Sequence, residues 1–291
     1  MQRRLGPRIV VPIASYRDPQ LGATLRDLIA KAADPKRLHI GVCLQLDPSD
    51  QQSCGQPSLP QGEAPQGAQL TLDPVAASAS QGVCWARART QKLWQHEPFT
   101  LQIDSHMRCI TGWDDALLAC WQRCGDRRAV LSVYPNAFEL PDHGDTAMLP
   151  LMVAFVAAGL LFGPGELIRE VPYDPELYFY GKEITLALRL WTRGFNLYDP
   201  DRLLLFHLYT TSGSGSPTHW ADHSSWNDHN ERSLARVKAL THGHHVKAPF
   251  GLGTVRTLQE WQQWSGINLQ EQTISDDALA GQFGPPPPSP D

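Results

Sequence analysis

The chain has 291 residues, 42% of them hydrophobic and 19% charged, with 9 Trp and a formal net charge of −5 at pH 7. That length can bury a core with a cleft in it, as one large or two small domains, and the composition is that of an ordinary globular protein. The acidic balance excludes a general nucleic-acid binder, which needs a basic face to displace phosphate counterions.

The start of the chain is charged at Arg3 and Arg4 but has no apolar stretch behind it, so no signal peptide is expected and a cytoplasmic protein is. Residues 8–14 form a short β-branched run of the kind buried on both faces of a parallel sheet, with Pro12 marking its end region. Asp18 before Pro19 reads as a helix cap, and Leu21, Leu25, Leu28, Ile29 and Ala32 follow at helical spacing. Residues 38–46 are a second apolar run, which completes a β-α-β unit with parallel strands. Residues 47–79 turn to Gln, Ser, Pro and Gly and are expected to be a flexible insertion.

Helical spacing returns over 83–94, followed by a strand at 99–104 and a helix carrying Trp113, Leu117 and Trp121 on one side. Residues 129–134 read as another strand. The apolar stretch 147–162 falls short of the roughly 20 residues that cross a bilayer, and Pro150 and Gly159 interrupt it, so it is expected to be core rather than a membrane span. Ile184, Ala187, Leu188 and Trp191 form a helical stripe ended by Gly194. The Pro-rich tail, 276–291, is expected to be disordered, leaving residues 1–275 as a single domain. The six cysteines contain no Cys-x-x-Cys pair and read as reduced thiols.

Asp104 and His106 lie at the carboxyl end of the 99–104 strand, where extended geometry would turn both side chains to one face. A carboxylate and an imidazole together suit Mn²⁺ or Mg²⁺ and leave positions open for a diphosphate. Spacing alone also allows Asp104 to cap the following helix with His106 incidental. Downstream, His219 and His223 have the i, i+4 spacing of a helical zinc site, but Trp220 stands where a metalloprotease needs its glutamate.

Four segments, Val11-Pro-Ile-Ala-Ser-Tyr-Arg-Asp-Pro19, Trp85-Ala-Arg-Ala-Arg-Thr-Gln91, Leu101-Gln-Ile-Asp-Ser-His-Met-Arg108 and Val171-Pro-Tyr-Asp-Pro-Glu-Leu-Tyr-Phe-Tyr-Gly-Lys-Glu183, resemble the cytoplasmic hydroxyproline N-acetylglucosaminyltransferase family and its bacterial relatives. The likeness runs in order over residues 8 to 270 and skips 47–79. It implies an α/β chain of the GT-A glycosyltransferase fold, with a Rossmann-like nucleotide-sugar-binding sheet flanked by helices and a C-terminal acceptor-side extension. It further implies UDP-N-acetylglucosamine as donor, a hydroxyl as acceptor, and retention of configuration.

By that resemblance Asp104-Ser105-His106 is an Asp-x-His variant of the Asp-x-Asp metal motif at the donor site. A more distant likeness to the polypeptide N-acetylgalactosaminyltransferases matches His207, in Leu205-Phe-His-Leu-Tyr209, to a third metal ligand. Ser15, Tyr16 and Arg17 would contact uracil and ribose, and Arg87 would lie near the donor. Glu183 would be the second acid of a Gly-Glu-Glu pattern near sugar and acceptor, with Lys182 in place of the first. His219, Trp220, Asp222 and His223 are expected on the acceptor side, where an indole can stack on a sugar or peptide face. The acceptor itself, whether protein, glycan or small molecule, is left open. Two alternatives stand beside this reading, a transferase using another UDP-sugar and a non-catalytic UDP-sugar-binding protein.

Overall fold

The first strand, β1 (Ile9–Tyr16), is buried on both faces through Ile13, and helix α1 (Leu21–Ala30) lays Leu21, Leu25, Leu28 and Ile29 onto the sheet. β2 (Leu38–Leu46) pairs parallel with β1 from Ile9 opposite Leu38 to Tyr16 opposite Gln45, so the opening is the expected β-α-β unit. The computed structural model describes residues 6–47, 50, 62–138, 153–209, 217–284 and 287–288.

Two expectations are corrected in this region. Pro12 does not end the strand: β1 continues to Tyr16, and only its register with the 99–104 strand skips Val11 and Pro12, where the ring removes a ladder N–H. Asp18 is not the residue that caps α1, because the helix begins at Leu21 with Gln20 at its cap.

The second half of the stretch read as an insertion is also structured. After β3 (Gly62–Glu63), β4 (Gln69–Ala76) pairs parallel with β2 from His39 opposite Gln69 to Leu46 opposite Ala76, with Leu70 buried. Composition hid β4 because most of its residues are only partly buried, so it lacks the apolar run of a central strand. Of residues 48–61, only Asp50 lies among those described.

The chain continues through α2 (Val83–Gln91), β5 (Phe99–Asp104), β6 (Met107–Cys109), α3 (Trp113–Arg123), β7 (Ala129–Ser132), β8 (Asn136–Ala137), β9 (Leu160–Pro164) and α4 (Leu167–Glu170). It ends with α5 (Lys182–Trp191), β10 (Asn196–Tyr198), β11 (Leu205–His207), α6 (His219–Asp222), α7 (Trp226–Thr241), α8 (Leu258–Ser265), the β12 (Ile267–Asn268) and β13 (Thr273–Ile274) hairpin, and α9 (Asp276–Leu279). The main sheet has the order β10-β7-β9-β5-β1-β2-β4-β3. β9 runs antiparallel to both β5 and β7.

β9 comes from the apolar stretch 147–162, whose first part lies outside the described residues, and Leu160, Leu161 and Phe162 are buried in the sheet. Among the described residues no helix is long and apolar enough to cross a membrane. α5 buries Leu186, Ala187, Leu188, Leu190 and Trp191, each large side chain contributing about 1.5–3 kcal/mol. Gly194, with φ of 82°, ends that turn as expected, its N–H bonding to the Trp191 carbonyl. α8 opens on a Thr257–Glu260 capping box. The tail expected to be disordered contains α9, capped by Ser275, and the Pro287 and Pro288 carbonyls accept from Arg256.

Candidate active site

Asp104 is the last residue of β5 and stands level with Ala14 of β1, at the carboxyl edge of the parallel strands, where open α/β sheets hold ligands. The chain turns through Ser105 and His106 into β6, which pairs antiparallel with β11, His207 opposite Met107. The Leu208 N–H donates to the His106 carbonyl at 3.1 Å. Strand register, not nearness in sequence, therefore brings His207 to the tip of β5.

The result is a cluster of three, Asp104, His106 and His207, whose ligand atoms all lie within 4.8 Å of one another. His207 Nε2 is 3.3 Å from Asp104 Oδ2, and the two imidazole Nε2 atoms face each other at 3.1 Å. The side chains of Asp104 and His106 keep 24% and 30% of their surface exposed, so a ligand can reach them. One carboxylate oxygen and two imidazole nitrogens make a donor set suited to a divalent cation.

A buried frame holds the cluster. Asp18 Oδ2 accepts from the Ser105 hydroxyl at 2.5 Å and from His106 Nδ1 at 2.6 Å, while its Oδ1 accepts from the Gln20 N–H. With Nδ1 carrying the proton toward Asp18, Nε2 of His106 presents its lone pair to the cluster, the arrangement second-shell carboxylates impose on metal-binding histidines. Burial opposes both charges, yet the shared bond wins: Asp18 is held below its ordinary pKa and His106 is raised. Thr24 of α1 clasps the turn, donating to the Ser105 carbonyl at 2.7 Å and accepting from the Met107 N–H at 3.0 Å.

Arg87 lies beneath the cluster, only 3% exposed, and donates to Asp104 Oδ1 at 2.7 Å, to the Ala158 carbonyl and to the Tyr173 hydroxyl. Burial opposes ionisation of Asp104, but Arg87, His207 and His106 together outweigh it and hold the carboxylate well below the usual range. The resemblance placed Arg87 near the donor; in the structure its guanidinium supports Asp104. Arg89 is turned away and forms a two-point pair with Asp73.

Ser105 is buried with its hydroxyl committed to Asp18, and Ser15 is buried at the end of β1 with its Oγ unpartnered. Arg17 has φ of 47°, unusual for a side chain of its size. Its guanidinium forms a fork with Asp50 at 2.6 and 2.9 Å and reaches Asp222 at 2.7 Å. Tyr16 donates to Asp222 as well. Thus α6, expected on the acceptor side, rests on the very loop expected to meet the nucleotide.

His219 of α6 and His223 just past its end stack at 3.9 Å between ring centroids. Trp220 packs edge-on against Phe179. Glu183, at the N-terminal turn of α5, accepts from the Ala158 N–H and the Tyr134 hydroxyl, both at 2.9 Å. Sequence reasoning gave Asp18 a capping role only and passed over Thr24, Tyr134 and Tyr209, whose ring lies 4.2 Å from that of His207. The position of Asp18 just past the carboxyl end of β1 was the one signal that pointed to it.

The fold is that of a glycosyltransferase of the GT-A class. The family model described as Glycosyltransferase (GlcNAc) matches residues 8–71, 51–149 and 142–271, and the chain belongs to that family. Among solved structures, it is similar to GalNAc-T7 crystallised with UDP, GalNAc and Mn²⁺, with a TM-score of 0.53 and 14% sequence identity. The match covers 88% of this chain and 54% of the other, so this chain spans about half the length of that one. At that identity the likeness is one of fold. No curated protein matches the chain by sequence.

Proposed function

We propose that the chain transfers N-acetylglucosamine from UDP-N-acetylglucosamine to a hydroxyl group with retention of configuration, in a reaction that requires Mn²⁺ or Mg²⁺ held by Asp104, His106 and His207. The observation that carries this reading is the meeting of two Nε2 atoms at 3.1 Å beside an ionised carboxylate. Two imidazole nitrogens and a carboxylate oxygen this close together form a donor set that a divalent cation can share. When bound, the ion neutralises charge growing on the departing diphosphate.

The protein's own groups do the rest. Asp18 fixes the His106 tautomer, Arg87 keeps Asp104 ionised, and the loop at 15–17 lies where the nucleoside would dock. GalNAc-T7, the neighbour in fold, carries UDP and Mn²⁺ in its crystal structure, which supports a nucleotide-sugar donor here.

The test is release of UDP from UDP-N-acetylglucosamine with and without Mn²⁺. Wild type should release UDP only with the metal, and Asp104→Ala should lose both that release and Mn²⁺ binding by calorimetry. Equal release by the two proteins would sink the assignment of the metal site. A donor panel containing UDP-galactose and UDP-N-acetylgalactosamine decides which sugar is used, and tight binding without turnover across all donors would mark a binding protein instead.

A further inference from the structure

Lys182 begins α5 next to Glu183 and has 8% of its surface exposed. Its ammonium lies 3.9 Å from the centroid of the Phe179 ring. Among the described residues it has no hydrogen-bond acceptor and no carboxylate within ion-pair distance. A cation over an aromatic face recovers only part of the hydration it gives up, and lysines are almost never this buried without a partner.

Both nearby carboxylates are already engaged. Glu183 spends Oε1 on the Ala158 N–H and Oε2 on the Tyr134 hydroxyl. Asp104 gives Oδ1 to Arg87 and has Oδ2 beside His207. Burial, and after it the nearby charge of Arg87, holds the Lys182 amine below its ordinary pKa, while Glu183 and Asp104 pull it back. Arg87 and Lys182 already balance Asp104 and Glu183 in charge. With the Asp18 carboxylate behind His106 counted as well, a divalent ion on the cluster would leave the site with one positive charge unmatched.

We propose that Lys182 is the anion-receiving residue of the transfer site, its ammonium pairing with a negatively charged oxygen of the bound substrate. This rests on the transferase reading and adds to it the chemistry of one contact. That oxygen belongs either to the diphosphate or to a carboxylate on the transferred sugar; the two share the chemistry and separate in the experiment. The Phe179 ring under the ammonium is flanked by Tyr180 and Trp220, with ring centroids 5.3 and 5.5 Å from its own. Tyr180 and Trp220 are exposed.

The experiment compares wild type with Lys182→Met and Lys182→Arg, titrating UDP, UDP-N-acetylglucosamine and UDP-glucuronic acid in the presence of Mn²⁺ and recording thermal melts without ligand. Lys182→Met should bind at least one of these about tenfold more weakly, and Lys182→Arg should stay within about threefold of wild type. Weakening already seen with UDP assigns the diphosphate, whereas weakening confined to UDP-glucuronic acid assigns a sugar carboxylate. Without ligand, Lys182→Met should melt at or above the wild-type temperature, since an apolar side chain of similar length replaces a largely buried amine that meets no acceptor among the described residues. Unchanged binding of all three nucleotides, or a ligand-free melt several degrees lower, overturns the proposal. If wild type binds none of them with Mn²⁺, the transferase reading falls together with it; if wild type binds and Lys182→Met binds equally, only the role of Lys182 falls.

Discussion

The inner wall of the site and α6 use the same side chains, histidines and carboxylates, but hold them by different means. In the inner wall His106 is tied to buried Asp18, Asp104 to buried Arg87, and the turn between them to buried Thr24. α6 is a single turn with no buried residue, attached through the bonds of Asp222 to Tyr16 and Arg17, the hydrogen bond between His219 Nδ1 and the Tyr178 hydroxyl, and the ring contacts of His219. Ion pairs as exposed as Arg17–Asp222 are worth about 1 kcal/mol or less and weaken with salt. Chemistry alone does not make a rigid site; withdrawal from water does, because a buried group that loses its partner has nowhere to turn.

The sharpest way to break this contrast is to remove Asp18. Asp18→Ala should weaken Mn²⁺ binding about 10- to 100-fold, the usual cost of losing the partner that orients a ligating histidine, although Asp18 itself touches no ion. Calorimetric titration of Mn²⁺ measures it. Affinity equal to wild type would mean that β6 and β11 alone orient His106.

Thr24→Val comes next. The substitution keeps shape but strips the group that satisfies the Ser105 carbonyl and the Met107 N–H, both remote from water. A loss of about 1–3 kcal/mol in urea unfolding is expected. A change within about 0.5 kcal/mol, the range of ordinary surface substitutions, would show that α1 merely lies against the turn.

The same contrast explains what could be read from the chain. The β-α-β opening, β5 and the α5 stripe were legible because each is a regular apolar pattern over a whole element, and Asp104-Ser105-His106 because it sits at the end of one. The partnership of His207 with His106 was legible only through resemblance, since the register of β6 against β11 closes a gap of 101 residues. β4 was missed because a partly covered strand carries a mixed composition. The bonds of Arg87 to Asp104 and of Asp18 to His106 were not legible for a related reason: sequence shows that a charge is present, while the side chain it turns toward depends on packing between α2, β5 and α1.

The smallest effect, and the one specific to α6, is its response to pH. Burial, followed by the neighbouring His223, lowers His219 from 6.5 to about 4 in the folded chain. Between those values the unfolded or undocked segment takes up a proton that docked α6 refuses, so docking is favoured above pH 6.5 and is lost as pH falls through about 4. The stacked ring of His223 works in the same direction, since a charge on one imidazole disfavours a charge on the other. Asp222 adds little within this window: burial opposes its charge, but its bonds to Arg17 and Tyr16 keep it ionised below its usual range. Hydrogen-exchange protection of residues 219–223 should therefore fall on going from pH 7 to pH 5 while that of β5 and β6 does not. In His219→Gln the pH dependence should flatten. Protection in wild type that is unchanged between the two pH values would show that α6 is anchored by something other than its neutral histidine, and the distinction between a buried and an exposed half of the site would have to be redrawn.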